Sequence, residues 1–202
     1  MAIEFLLRAH SAPTQPQAFL NAAGGDAHVE YLAQIIVNTL FVSQGHREDD
    51  VLTLVLEQSA DFSRSLTLRG ESLGNLGGMT ESALLDTIAD ALQAGSRLGK
   101  AESIVSDSGI EVSATSFERL ARARLESTAV FLLDRKGADI REVSLPDDAC
   151  FLLTDHIPLP RNLRKSFVRQ GAKPVSLGPV MLHASQCVVL VQNEFDRLYS
   201  RR

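Results

Sequence analysis

Residues able to do chemistry gather in roughly the last fifty positions of this 202-residue chain. The apolar run Phe151-Leu152-Leu153 empties into Thr154-Asp155-His156-Ile157. Val175-Ser176-Leu177-Gly178-Pro179 then leads through Leu182 and His183 to Cys187. A buried strand that ends in a polar turn is where an open α/β sheet holds a ligand, because backbone groups at the carboxyl ends of the strands face a crevice. Neither turn has the Gly-x-Gly-x-x-Gly spacing of a dinucleotide fold or the Gly-Lys-Ser/Thr of a phosphate loop, so a different use of the crevice is implied. Asp155 at a strand end can accept a proton as a general base, and is equally suited to bonding the backbone of its own turn. His156 and His183 can act as bases or orient their neighbours. Cys187 reads as a buried thiol, since nothing nearby calls for a thiolate.

Composition narrows the class. With 45% hydrophobic and 22% charged residues the chain can bury a full core, and it reads as one domain over 1–202. The longest apolar runs, Val51 to Leu56 and Val188 to Val191, are far shorter than the roughly 20 residues that span a bilayer. No signal-like start precedes them, so a cytoplasmic protein with no membrane partner is expected. Two cysteines, Cys150 and Cys187, make no disulfide framework, and no second ligand cluster suggests a metal. The net charge of −5 weighs against wholesale nucleic-acid binding, yet local runs matter more. Arg161, Arg164, Lys165, Arg169 and Lys173 form one, and Arg119, Arg122 and Arg124 another. Each can be a solvated helix face or an RNA-binding surface.

The elements that must position these residues alternate along the chain. Ile3 to Arg8 reads as a first strand, and spacing of Tyr31, Leu32, Ile35, Ile36, Thr39 and Leu40 predicts a helix over 28–41 with Asp26 as N-cap. Val51 to Leu56 is a near-continuous apolar strand, which favours a parallel or mixed sheet. Ser65 to Arg69 alternates like an edge strand, Thr80-Glu81 opens a helix to Ala94, and a short strand is expected within 101–111. Thr115 or Ser116 caps a helix from Phe117 to Leu125, followed by a strand at 129–133 closed by Asp134 to Gly137. Strands at 150–153 and 174–177 and helices at 161–170 and 185–199 complete the reading.

On these residues the chain resembles a known family. Leu133, Asp134, Gly137, Asp139, Ile140 and Arg141 come first, then Asp155, His156 and Ile157. Gly171, Ala172, Lys173, Ser176, Leu177, Pro179, Leu182, His183, Ala184 and Cys187 follow, and then Asn193, Glu194 and Asp196. This order is similar to the tRNA pseudouridine N1-methyltransferases of the SPOUT, or α/β-knot, superfamily. Ala12-Pro13-Thr14, Leu40 to Ser43 and Arg47 before Asp49 extend the likeness thinly into the first half, and the bacterial branch fits best.

The resemblance implies an α/β fold with a trefoil knot, an exception to unknotted connectivity. Its knotted cofactor-binding part covers about 126–202 and an N-terminal elaboration about 1–125. It implies S-adenosylmethionine bound by Leu132, Leu133, Thr154, Ser176, Leu177, Gly178, Pro179, Leu182 and Cys187, in a homodimer paired through the last helix. It also implies transfer to N1 of a pseudouridine, of the kind found in the T-loop of tRNA. Asp155 then becomes the candidate for handling the N1 proton, and Arg47, Arg161, Arg164 and Lys165 the candidates for RNA contact. Two departures stand out: Thr154 replaces a glycine before Asp-His, and Ala27-His28-Val29-Glu30 replaces Gly-Arg-x-Asp. A methyltransferase on another RNA or nucleoside and a non-catalytic dimeric RNA-binding protein remain alternatives.

Overall fold

The computed structural model describes residues 2–199. In chain order its elements are β1 (Ala2–Pro13), α1 (Pro16–Asn21), α2 (Glu30–Leu40), β2 (Phe41–Val42), β3 (Gly45–His46), β4 (Val51–Gln58), β5 (Arg64–Arg69) and α3 (Glu81–Ala94). They continue with β6 (Ser103–Val105), β7 (Glu111–Ser113), α4 (Phe117–Ser127), β8 (Ala129–Asp139), β9 (Asp148–Thr154), α5 (Arg161–Arg169), β10 (Lys173–Ser176) and α6 (Ala184–Tyr199). Eight strands form one sheet in the order β10-β8-β9-β1-β4-β5-β7-β6. The first five in that order run parallel, and β5, β7 and β6 join them antiparallel.

Successive strand side chains point to opposite faces, and here both faces are apolar, so the parallel strands are covered twice. Phe5, Leu7, Leu54, Phe131, Phe151 and Leu153 join the larger core with α1, α2, α3 and α6. Leu6, Val55, Val130, Leu132, Cys150 and Leu152 pack on the other side with Phe117 and Ala121 of α4 and Phe167 of α5. At the centre Phe151 stacks on Phe131 with centroids 5.1 Å apart and meets Phe5 at 5.9 Å and Phe195 of α6 at 6.0 Å. Each such ring contributes about 1.5–3 kcal/mol by leaving water.

Three sequence expectations are corrected. Asp26 does not cap α2: the helix starts at Glu30 with no side-chain cap, after a turn that places Gly24 and His28 at φ 74° and 49°. The Glu30 carboxylate instead reaches back to the Gly24 N–H. β5 is not an edge, because the β6–β7 hairpin pairs outside it, Ser65 opposite Ser113. Its alternation reports one polar face, where Ser65 meets the Ser113 hydroxyl at 2.7 Å and Thr67 meets Thr53 at 3.2 Å. The single short strand expected within 101–111 is that hairpin, 103–105 and 111–113.

α6 runs from the carboxyl edge of the parallel strands to their amino edge, where it is anchored by polar groups. Gln192 Nε2 donates to Asp50 Oδ2 at 2.7 Å and to the Thr39 carbonyl at 2.8 Å. Arg47 forms a two-pronged pair with Asp196 at 2.9 and 2.6 Å, and its Nε lies 4.0 Å from Asp50. Burial pushes the Asp50 carboxyl up to about 6, against the opposing pull of Gln192 and Arg47.

The folded chain therefore holds a proton on Asp50 that the unfolded chain has released above its ordinary value of 3.8. Stability falls as pH rises through that window, by about 3 kcal/mol once pH is well above 6. Asp50→Asn is expected to flatten the slope between about pH 4 and 6 and to raise the melting temperature at pH 7.5, read by thermal unfolding across pH.

Candidate active site

Three loops meet at the carboxyl ends of the parallel strands. The first interrupts β8. β10 pairs Lys173 with Phe131 and Pro174 with Leu132, and then Val175 with Ala138 and Ser176 with Asp139, so residues 133–137 loop out of the ladder. Gly137 lies against β10 so closely that a Cβ there would sit 2.5 Å from both the Pro174 carbonyl carbon and the Val175 nitrogen. Only glycine permits this backbone-to-backbone approach. Asp134 fastens the same loop, accepting from the Lys136 N–H at 2.9 Å and from Arg164 Nε of α5 at 2.7 Å. Burial alone would raise the Asp134 carboxyl, but these bonds and the Arg164 charge hold it below its usual range.

The second loop follows β9. Thr154, partly buried, pairs with Arg8, and the Asp155 N–H donates to the Arg8 carbonyl at 2.9 Å. Asp155 Oδ1 accepts from the Ile157 N–H at 2.8 Å, and Oδ2 accepts a long 3.4 Å bond from the Ser11 N–H on β1. The carboxylate thus does bond its own turn, while Oδ2 keeps the weaker contact. His156 is exposed and meets the ring of His28 edge-on, 5.3 Å between centroids.

The third loop joins β10 to α6. Ser176 Oγ accepts from the Gly178 N–H at 3.2 Å and donates to the Gly178 carbonyl at 3.2 Å, closing a small ring. Gly178 sits at φ 126°, and a Cβ there would meet nothing within 4 Å, so the backbone presents an open face. Leu177 and Cys187, like Leu133, pack against the larger core, whereas Pro179, Val180 and Met181 are exposed. Gln186 caps the entry to α6 by accepting from the His183 N–H at 3.0 Å. Burial pushes the Cys187 thiol up to about 11, which leaves it protonated and unsuited to nucleophilic work.

The structure brings together Leu133, Thr154, Asp155, Ser176, Leu177, Gly178, Leu182 and Cys187 around these loops, and it sets Leu132 and Arg47 apart from them. The Leu132 side chain points to the opposite face, under α4 and α5. Arg47 lies at the amino edge of the sheet, spent on Asp196. Of the basic run on α5, Arg161 and Lys165 are exposed, while Arg164 serves Asp134. Among the described residues no three His, Cys, Asp or Glu side chains form a metal-binding group.

One residue escaped the sequence reading. Tyr31 counts as apolar in the α2 pattern, but its hydroxyl is buried without a hydrogen-bond partner among the described residues. Such a group costs about 1–3 kcal/mol. Burial, and next the Asp155 charge, push its phenol well above the usual range, which places the two groups within electrostatic reach. Its tyrosine identity in a helix of aliphatics was the signal available.

Sheet order and loops define a SPOUT-type α/β fold. The same fold is seen in the crystal structure of Archaeoglobus fulgidus Nep1 bound to S-adenosylhomocysteine, with a TM-score of 0.63 over 98% of this chain and 99% of that one at 13% identity. Within that class the sequence matches the family described as "Putative SAM-dependent RNA methyltransferase" over residues 2–199, and the chain belongs to it. Among curated relatives, a "Putative pseudouridine methyltransferase" of Vibrio parahaemolyticus is 46% identical over 192 residues, covering 95% of this chain and 96% of that protein. A Shewanella baltica protein of the same description is 47% identical over 192 residues, covering 95% and 97%.

The residues at the three loops suit S-adenosylmethionine. Leu133 and Leu177 offer apolar walls, and Gly178 offers backbone that no side chain shields. Gly137→Ala is expected to force β10 away from the first loop, lowering stability by about 1–3 kcal/mol and abolishing measurable S-adenosylmethionine binding in calorimetric titration.

Proposed function

We propose that this S-adenosylmethionine-dependent RNA methyltransferase methylates N1 of a pseudouridine, in tRNA, and works as a knotted homodimer in the cytoplasm. The observation that carries the reading is that loops leave the adjoining strands β10, β8 and β9 at one edge of the sheet, and that the loop after β9 carries a carboxylate, Asp155, whose Oδ1 is fixed and whose Oδ2 is loosely held. The names of the relatives support pseudouridine as acceptor. The close pass of β10 against the first loop supports a threaded C-terminal segment. Val180 and Met181 of the third loop, 69% and 77% exposed, and Val189 and Leu190 of α6 are exposed apolar side chains that a second copy would cover.

When bound, S-adenosylmethionine supplies a methyl group already activated by a sulfonium. What this chain must supply is alignment and a proton acceptor. Leu133, Leu177 and the backbone at Gly178 line the place where the methyl donor would rest. Holding donor and acceptor at about 3–3.5 Å supplies much of the rate. N1 of pseudouridine carries a proton and becomes strongly nucleophilic only as it is lost. Asp155 Oδ2 takes that proton while Oδ1 stays on the Ile157 N–H, which keeps the carboxylate oriented. Arg161 and Lys165, exposed at the start of α5 where the second loop ends, would contact RNA phosphates, and such contacts weaken with salt.

The test is transfer of labelled methyl from S-adenosylmethionine to tRNA that carries pseudouridine unmethylated at N1. Transfer by the native protein is expected, with the label recovered as N1-methylpseudouridine. Label on a different nucleoside, or none across several tRNA pools, would reject the assignment. In Asp155→Asn the amide oxygen can still accept from Ile157, so the fold and cofactor affinity should persist while turnover falls about 10²–10⁴-fold.

A further inference from the structure

The mechanism above gives no task to the hydroxyl of Tyr31. Tyr31 stands in the first turn of α2, its N–H on the His28 carbonyl at 3.3 Å. The segment that carries it is tied to β1 where Ser11 Oγ donates to the Ala27 carbonyl at 3.4 Å. Ser11 is also the residue whose N–H reaches Asp155 Oδ2. A second link, the edge-on contact of His28 with His156, joins the same segment to the turn after β9. Segment 27–31 and turn 155–157 therefore face each other with a phenol on one side and a carboxylate on the other. Both histidines that join the two segments are exposed, and His28 is held at φ 49°, a backbone state that side-chain-bearing residues rarely keep. A contact between two solvated rings is easily parted.

A buried donor without an acceptor among the described residues, on a segment that faces the turn carrying the proton acceptor, matches a need of the chemistry. When N1 of pseudouridine loses its proton to Asp155, negative charge spreads onto the ring carbonyl at C2, which flanks N1. We infer that the Tyr31 hydroxyl donates a hydrogen bond to that carbonyl of the acceptor base, once the base parts His28 from His156 and enters between α2 and the turn after β9. The N1–methyl bond forms as the sulfur–methyl bond breaks, the N1 proton resides on Asp155, and S-adenosylhomocysteine leaves neutral at sulfur. Tyr31 keeps its own proton throughout, since burial and the carboxylate both oppose its ionisation. The same donor favours bases with a carbonyl beside the reacting nitrogen over bases with a C–H there. This inference rests on the acceptor proposed above.

The test is Tyr31→Phe, which removes one oxygen and leaves the ring. Because the hydroxyl has no partner to lose, the variant should melt at the native temperature or higher and bind S-adenosylmethionine within twofold of the native protein. Its kcat on pseudouridine-containing tRNA should drop about 10²-fold with KM for RNA little changed, the pattern for loss of a donor aimed at developing charge. A 2-thiopseudouridine substrate, whose sulfur is a poor acceptor, should lose the advantage of Tyr31, so that native and variant rates approach each other. Full activity in Tyr31→Phe, an equal ratio on oxygen and sulfur substrates, or a melting temperature several degrees lower would each overturn the inference. Absence of transfer by the native protein would instead reject the acceptor assignment, so the two failures are distinguishable.

Discussion

At Gly137 two stretches of backbone touch with no room for a side chain, and the geometry of the site follows from that contact. It forces residues 133–137 out of the β8 ladder and sets β10 beside that strand with a shifted register. It also fixes where the chain leaves β10 for α6. Backbone held against backbone is a stiff support, because neither partner can relax by changing rotamer. Asp134 and Arg164 then brace the displaced loop from the other side of the sheet, so the apolar walls at Leu133 and Leu177 are held by a fixed main chain as well as by packing against the core.

Much of this was readable from residue order. The apolar run at 51–56 announced a strand covered on both sides, those at 129–133 and 150–153 announced further strands, and the residues from Leu133 to Cys187 announced the loops. Other features were hidden for physical reasons. Alternation at Ser65 to Arg69 tells which face is buried but says nothing about which strands lie beside it, so an interior strand passed as an edge. Asp26 has the right chemistry for a cap, yet the backbone turn through Gly24 and His28 leaves it short of the helix, which starts at Glu30. Leu132 and Leu133 are neighbours in sequence and opposites in space, because strand side chains alternate. The Tyr31 hydroxyl is invisible to any hydrophobic pattern, since the ring satisfies the pattern and the oxygen is one atom.

Arg47 and Arg164 teach a related lesson about charge. Both are cations in a setting that invites an RNA contact, and both are engaged inside the fold, one by Asp196 and one by Asp134. A guanidinium in a two-pronged pair has little left to offer a phosphate. What distinguishes Arg161 and Lys165 is exposure, at a helix start that the second loop delivers to the carboxyl edge of the sheet.

The position of β1 in the sheet has a consequence for how the chain is made. Its two partners are β4, roughly fifty residues away, and β9, which pairs Ala2 with Asp148. During synthesis β1 and β4 emerge early, and one flank of β1 then waits for nearly three-quarters of the chain before β9 arrives. Pairings between such distant segments form slowly, and an open apolar strand flank is a place where nascent chains stick to one another. The central strand of the finished enzyme is thus a strand with one open flank in the growing one, until β9 leaves the ribosome.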